Sequence, residues 1–189
     1  TWLDARQLIH TSSHHQEGRV SWEKSKQQIL SKISANKSIY ISQGFIGSDD
    51  KQNTTTLGRE GSDYSAAIFA WAVNAKELVI WKDVPGLLNA DPKVFKDTKK
   101  IDHISYKEAI ELSYYGASVI HPKTIKPLQN KGIPLTIRSF INHKEKGSEI
   151  NKHGVKDDAV TSFIYKPNQV LISISPKDFS FILEDHMSE

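Results

Sequence analysis

The feature that most constrains the fold is a stretch of fourteen residues, Thr54–Ala67. Its first half consists of hydroxyl residues, glycines and one arginine, a composition typical of a loop. Its second half has small and apolar residues at helical spacing, and Ser62 or Asp63 is a good N-cap. A β-rich run at residues 38–43 precedes the stretch and ends at Gly44. The sequence therefore predicts a unit of strand, glycine-rich loop and helix.

Such a loop has the residues to bind a small charged molecule. In open α/β sheets, loops at the carboxyl ends of strands bind ligands, and the free N–H groups of a helix's first turn favour an anion. Arg59, between Gly58 and Gly61, can reach an anion as a planar fork, and Asp63 can hold a cationic group. The two could clamp a zwitterion, that is, an amino acid. The alternative is a capped surface helix that follows a flexible loop.

The stretch resembles the signature loop of the aspartokinases, in the amino-acid kinase family, which is commonly written T-T-T-L-G-R-G-G-S-D-Y-S-A. Glu60 stands where many relatives have glycine. Two further segments resemble family motifs. Residues 81–93 resemble the nucleotide loop, and residues 116–124 resemble G-A-K-V-L-H-P-x-T.

The order of the predicted elements indicates an α/β fold. Helices and strands alternate with short connections, which favours a mainly parallel sheet with helices on both faces. The resemblance implies a three-layer sandwich like that of carbamate kinase. It also implies two domains, with the C-terminal half of a kinase domain at 1–144. A linker and the beginning of an ACT-like α+β regulatory module would follow at 145–189, including strands at 160–165 and 170–175.

The resemblance implies roles for three residues of the signature loop. The acceptor would be the side-chain carboxylate of L-aspartate, and the donor would be ATP with Mg²⁺. Arg59 would bind the α-carboxylate of aspartate, Asp63 would pair with its ammonium group, and Ser62 would support the same loop.

The resemblance also implies a set of ATP-binding positions, and several depart from the family's usual residue. The matching positions are Lys82, Asp83, Leu88, Lys93, Ser118 and Val119. Lys82 replaces a threonine, Leu88 a tyrosine, Lys93 an arginine and Ser118 a lysine. We hypothesise that Lys82 supplies the positive charge missing at Ser118. Asp83 would touch the ribose or the metal shell, although an aspartate before Val-Pro-Gly can also simply form a turn.

Composition excludes several other classes of protein. The net charge is +3 and no Lys/Arg run forms a nucleic-acid patch. No apolar run approaches the roughly 20 residues of a membrane span. With no cysteine there is no disulfide, which suits a cytoplasmic location. His14 and His15 are adjacent, but the spacing of nearby carboxylates does not predict a metal site, and neither a P-loop nor a dinucleotide fingerprint occurs.

The resemblance assigns no certain catalytic residue to these 189 residues. The family's catalytic lysine lies in an N-terminal K-F-G-G-T-S motif, and nothing here resembles that motif. The lysine is therefore expected upstream of Thr1, together with a glutamate that binds the substrate. Since both would be missing from this chain, we expect the chain alone to be inactive.

The leading functional prediction is aspartate kinase, the first step towards lysine, threonine and methionine, under allosteric control. The ACT region would make the full-length protein a homo-oligomer. One alternative is an amino-acid kinase for another acidic substrate. The other is a non-catalytic ACT-type regulatory or oligomerisation module.

Overall fold

A computed structural model describes residues 1–33, 38–115, 119–154, 161–165 and 168–170. Its helices are α1 (Trp22–Lys32), α2 (Gly61–Val73), α3 (Tyr106–Tyr115) and α4 (Pro122–Lys131), and a 3₁₀ turn spans Ala5–Gln7. The first five strands are β1 (Trp2–Leu3), β2 (Ile41–Ser42), β3 (Ile46–Ser48), β4 (Thr54–Thr56) and β5 (Leu78–Lys82). The others are β6 (Leu87–Leu88), β7 (Lys100–Ile101), β8 (His103–Ser105), β9 (Leu135–Ser139) and β10 (Ser148–Asn151).

The main sheet has four strands in the order β5-β9-β10-β8. Strand β5 runs parallel to β9 over its whole length, from Leu78 opposite Leu135 to Lys82 opposite Ser139. Strand β10 runs antiparallel to β9 and parallel to β8. The predicted α/β class with a mostly parallel sheet is confirmed.

One face of this sheet forms the larger of two hydrophobic cores. Ile80, Leu135, Ile137 and Ile150 point into it and are buried together with side chains of α2, α3 and α4. Residues at alternate positions, such as Thr136 and Arg138, lie on the opposite face and are only half-buried. This alternation fixes the register of the sheet, since a shift by one residue would expose the apolar set.

Helix α2 connects this core to the second one. Ala67 and Ala70 face the main core, whereas Tyr64, Ile68 and Ala72 pack in a cluster with α1 and the N-terminal segment. Because α2 is buried on two sides, its alanines allow close approach of the neighbouring elements. The helix that follows the signature loop is therefore packed between two cores.

The first residue of the chain lies beside a short parallel pair of strands. Strand β1 pairs with β2, with Trp2 opposite Ile41, and the Thr1 ammonium group donates to Ile39 O at 2.7 Å. A catalytic lysine upstream of Thr1 would lie outside this sequence, so the structure does not test that expectation. It stays a prediction.

The segment before the signature loop differs from the sequence prediction. The strand predicted at residues 38–43 is limited to Ile41–Ser42, and Thr54–Thr56, predicted as loop, is strand β4, paired antiparallel with β3. The turn between β3 and β4 is organised by Asp49, which is only 2% exposed and accepts hydrogen bonds from backbone N–H groups of Lys51 and Asn53. β-branched threonines suit an extended pair once such a turn forms.

The predicted N-caps of α2 are also wrong. The helix begins at Gly61, so Ser62 and Asp63 lie in its first turn, and Glu60 is the capping residue without a side-chain cap bond. Glu60 has φ 52° and ψ 33°, a left-handed conformation that favours glycine. The backbone therefore explains why glycine is common at this position in the family that the sequence resembles.

The last described segments differ from the sequence prediction. Residues 148–151, within the predicted linker, form β10 and join the sheet. Of the strand predicted at 160–165, residues 161–165 are described and form no strand, and the backbone N–H of Phe163 donates to Asn89 O at 2.7 Å. The strand predicted at 170–175 lies outside the described residues apart from Val170. No helix in the described ranges is long and apolar enough to cross a membrane.

Candidate functional site

The signature loop presents Arg59 on an irregular turn between β4 and α2. Gly58 has φ 73°, Glu60 is also left-handed, and the backbone N–H of Gly61 donates to Gly58 O at 3.0 Å. Arg59 is exposed, and none of the described residues accepts a hydrogen bond from its guanidinium or forms an ion pair with it. Its donors are therefore available to an anionic ligand.

The first turn of α2 places an acidic group beside this arginine in sequence. Ser62 is exposed, whereas the Asp63 side chain is only 17% exposed. Asp63 Oδ2 lies 2.8 Å from Lys82 Nζ, and the Lys82 side chain is 22% exposed. Asp63, which is predicted to bind aspartate, thus forms an ion pair with Lys82, which is predicted to bind ATP.

Lys82 lies where open α/β sheets bind ligands. It is the last residue of β5, it stands opposite Ser139 at the end of parallel strand β9, and Lys82 O accepts a hydrogen bond from Phe140 N at 3.0 Å. Asp83 follows directly and is exposed. The carboxyl ends of two adjacent parallel strands and the start of α2 therefore meet at the Asp63–Lys82 ion pair.

The other predicted ATP-binding residues follow β5 or precede α4. Leu88 is half-buried in β6, which pairs with β7. Lys93 is exposed, and its backbone N–H donates to Asp91 Oδ1 at 2.9 Å. Val119 packs against the main core, and Ser118 lies outside the described residues. No ion pair or hydrogen bond within the described ranges links these side chains to Asp83 or Lys82.

A second ion pair, between Lys123 and Glu17, contacts the signature loop, and the sequence does not predict it. Lys123, in the first turn of α4, donates to Glu17 Oε1 at 2.7 Å and to Leu57 O at 3.3 Å, and lies over the Tyr64 ring. This hydrogen bond and the charge of Lys123 lower the pKa of Glu17. The sequence gives no signal for this pair, because the two residues are 106 positions apart. His121, directly before Pro122, caps α4: its Nδ1 accepts a hydrogen bond from Lys123 N at 3.1 Å.

The segment that carries Glu17 also pairs with the signature stretch. Thr56 N donates to His15 O at 2.7 Å, and Gly18 N donates to Thr56 O at 2.8 Å. A Cβ atom at Gly58 would lie 3.0 Å from Glu17 Cγ. The polar segment with the two histidines therefore lies directly against β4 and the loop. Within the described residues no group of three or more His, Cys, Asp or Glu could hold a metal ion.

Two exposed apolar residues follow β9, and the sequence analysis misses them. Phe140 is 62% exposed and Ile141 is 76% exposed, directly after Ser139. Ligands bind at the carboxyl ends of strands in open α/β sheets, and this rule draws attention to Asp83 after β5. It applies equally to Phe140 and Ile141, because they follow the parallel strand β9.

Comparisons with known proteins identify the family of this chain. A profile of the amino acid kinase family matches residues 3–139. The lysine-sensitive aspartokinase 3 of Escherichia coli (strain K12) is 35% identical over 179 residues, which cover 92% of this chain and 39% of that protein. The bifunctional aspartokinase/homoserine dehydrogenase 2 of Zea mays is 37% identical over 183 residues, 92% of this chain and 20% of that protein. The chain therefore spans well under half of these relatives.

Solved structures give the same result at the level of the fold. The structure of E. coli aspartokinase III in complex with aspartate and ADP has a TM-score of 0.77 and 36% identity, covering 80% of this chain and 34% of that one. Carbamate kinase from Giardia lamblia bound to AMP-PNP has a TM-score of 0.53 at 15% identity, covers 80% of this chain and 61% of that one, and supports the fold alone.

Proposed function

This chain belongs to the amino acid kinase family, and on that premise we propose that it is part of an aspartate kinase. The reaction is transfer of the γ-phosphoryl group of ATP to the side-chain carboxylate of L-aspartate, giving 4-phospho-L-aspartate. The observation that carries the proposal is the exposed Arg59 on the turn that leads into α2, which has no ion-pair partner among the described residues, with Asp63 in the first turn of that helix. The similarity to E. coli aspartokinase III, solved with aspartate and ADP, supports it.

In this proposal the signature loop holds the amino-acid end of the acceptor. The Arg59 guanidinium binds the α-carboxylate as a bidentate fork, and the N-terminus of α2 adds a favourable field for that anion. Asp63 pairs with the α-ammonium group, and the exposed Ser62 hydroxyl supports the loop. No general base is needed, because a carboxylate with its ordinary pKa near 4 is already ionised at neutral pH.

The nucleotide lies at the carboxyl ends of β5 and β9. Phosphoryl transfer depends mostly on positioning and on positive charge around the phosphates. We assign Lys82, Asp83, Leu88, Lys93, Ser118 and Val119 to this part of the site. Mg²⁺ would neutralise phosphate charge, and it is commonly bound by one or two carboxylates together with phosphates. The exposed Asp83 at the end of β5 fits that part.

One observation favours a second candidate, an amino-acid kinase for a different acidic substrate. Lys82 already lies 2.8 Å from Asp63, so the carboxylate assigned to the substrate ammonium has a cationic partner within the protein. An acceptor without a free ammonium group would leave that ion pair undisturbed. Aspartate remains the first proposal because the loop resembles the aspartokinase signature over its length.

Further parts of the proposal rest on the resemblance alone. They are a catalytic lysine upstream of Thr1, the division at residues 144 and 145, assembly of the full-length protein into a homo-oligomer through an ACT region, roles in lysine and threonine biosynthesis under allosteric control, and a cytoplasmic location. The expected inactivity of the 189 residues alone also stays a prediction.

The test is an acceptor panel. The full-length protein is incubated with ATP, Mg²⁺ and either L-aspartate, L-glutamate or N-acetyl-L-glutamate, and the acyl phosphate is trapped with hydroxylamine. We expect hydroxamate and ADP release with L-aspartate, and background with the others. Turnover of N-acetyl-L-glutamate instead would select the second candidate, and no turnover with any acceptor would contradict both. The 189-residue chain assayed in parallel tests its predicted inactivity.

A further inference from the structure

We propose that Lys82 couples the two substrates of this site, so that binding of the nucleotide makes Asp63 available to the amino-acid acceptor. The inference rests on the proposed function and adds a residue that acts on both substrates. Where the family usually has threonine, this chain has a lysine that reaches the acceptor-binding carboxylate.

The first step is the contact itself. The 2.8 Å distance between Lys82 Nζ and Asp63 Oδ2 is that of a charge-assisted hydrogen bond. About four-fifths of each side chain is shielded from solvent, with 22% of Lys82 and 17% of Asp63 exposed. A partly buried pair is screened less by water and salt than a surface pair, so the attraction between Lys82 and Asp63 is stronger than that of an exposed pair at the same distance.

The second step is competition for one carboxylate. The α-ammonium of an amino acid and the ε-ammonium of Lys82 carry the same charge and seek the same oxygen atoms of Asp63. Two cations within a few ångströms in a shielded site repel each other. As long as Lys82 stays on Asp63, an amino-acid acceptor must bind with reduced affinity.

The third step is the electrostatic attraction between the phosphates of the nucleotide and Lys82. Lys82 ends β5 at the edge of the sheet where ligands bind, and it directly precedes Asp83. Lysine has a flexible four-carbon stem and a compact charge that suits phosphate groups. Phosphates bound there attract Lys82 away from Asp63, and the released carboxylate can then pair with the acceptor's ammonium. Each substrate thereby strengthens the binding of the other, because coupling between two sites is reciprocal.

The experiment is calorimetric titration of L-aspartate into the full-length protein. It is run without nucleotide, with saturating Mg²⁺ and AMP-PNP, and with adenosine, which has no phosphates. We expect AMP-PNP to lower the Kd for aspartate by a factor in the usual range of coupling, about 5 to 150. Adenosine should leave the Kd unchanged.

The variants separate this role from a structural one. Lys82→Thr restores the family's usual residue; it should bind aspartate without nucleotide more tightly than wild type does, and AMP-PNP should add no further gain. Lys82→Arg keeps a cation and should keep the coupling. Lys76→Thr, an exposed lysine before β5, should behave as wild type.

Each outcome bears on the inference. An unchanged Kd for wild type with AMP-PNP overturns the coupling but leaves the proposed aspartate kinase standing. If AMP-PNP lowers the Kd for aspartate equally in wild type and Lys82→Thr, another residue is responsible for the coupling. If Lys82→Arg loses the coupling as fully as Lys82→Thr, the positive charge at residue 82 is not its cause. Failure of aspartate to bind under any condition contradicts the proposed function itself.

Discussion

Lys123 Nζ lies 2.7 Å from Glu17 Oε1, and this contact ties the start of α4 to the segment that backs the signature loop. A cation in the first turn of a helix is opposed by the helix dipole. Glu17 offsets that unfavourable position, and Lys123 also donates to Leu57 O, one residue before Gly58. The pair therefore stabilises the start of the signature loop through Leu57.

The first prediction concerns this pair and pH. In Lys123→Met the pKa of Glu17 should rise towards its usual value, because the hydrogen bond and charge that lower it are lost. A group whose pKa is lowered in the folded state adds stability above its unfolded pKa, and that contribution disappears as pH falls through the folded pKa. The stability that the pair contributes should thus decline on acidification below the ordinary glutamate pKa of about 4.3.

The measurement is a carbon-detected NMR titration of the Glu17 carboxyl, together with urea unfolding at several pH values. Lys126→Met, an exposed lysine of α4, is the matched control and should leave the pKa of Glu17 lowered. An identical Glu17 titration in wild type and Lys123→Met would show that the ion pair does not form in solution.

The second prediction concerns the strained capping residue of α2. Glu60 has φ 52°, and its Oε2 atom is buried without a hydrogen-bond partner among the described residues. Glu60→Gly should raise the free energy of unfolding by about 1 kcal/mol, because a left-handed non-glycine residue costs about 1–2 kcal/mol and glycine loses part of that gain to chain entropy.

Glu60→Ala separates the backbone from the carboxylate, since alanine removes the buried oxygen and keeps the Cβ atom. Among wild type, Glu60→Ala and Glu60→Gly, chemical denaturation should show that Glu60→Gly is the most stable. If Glu60→Ala is as stable as Glu60→Gly, the buried carboxylate, and not the left-handed backbone, is what destabilises the wild-type protein.

How much of the fold can be predicted from the sequence depends on how local each determinant is. The capping box of α3 is predictable from four residues because its hydrogen bonds stay within one turn: Ser105 Oγ donates to Glu108 Oε2 at 2.6 Å, and Glu108 N donates to Ser105 Oγ at 3.2 Å. The same holds for His121 before Pro122. By contrast, the three threonines of β4 resemble a loop in sequence, because their pairing partners lie in β3 and in the distant segment around His15.

The candidate site shows the same limit. The signature stretch identifies Arg59 and Asp63 on one turn, but it carries no information on what approaches that turn from elsewhere in the chain. The sequence places Lys82 in the nucleotide loop only, whereas its ion pair with Asp63 depends on how β5 and α2 pack. Glu17 and Lys123 meet for the same reason and have no signal in the sequence.

The third prediction tests the local determinant of α3. Ser105→Ala should lower the free energy of unfolding by about 1 kcal/mol, the usual cost of losing a serine N-cap. It should also raise the pKa of Glu108, which the Ser105 hydroxyl and backbone N–H lower. Lys107→Ala, an exposed neighbour, serves as the control in the same thermal and chemical unfolding series. Equal stability of both variants would contradict the capping role.

The fourth prediction concerns which part of the site binds the nucleotide and which part binds aspartate. Asp83→Asn in the full-length protein should weaken nucleotide binding while the Kd for aspartate measured without nucleotide stays near that of wild type. The reason is its position after β5, on the nucleotide side of the Asp63–Lys82 pair. Titrations of AMP-PNP and of aspartate, each alone, measure the two effects separately. Weaker aspartate binding with unchanged nucleotide binding would show that the assignment is reversed.

The most direct test of the central claim is the steady-state kinetics of Arg59→Ala in the full-length protein, with L-aspartate and ATP varied independently. Loss of a charge-assisted bidentate contact costs about 1.5–3 kcal/mol, so the KM for aspartate should rise by a factor of about 10 to 150. The KM for ATP should stay close to wild type, and Arg19→Ala, an exposed arginine of the segment behind the loop, should change neither constant. An unchanged KM for aspartate in Arg59→Ala would contradict the assignment of this loop as the acceptor site.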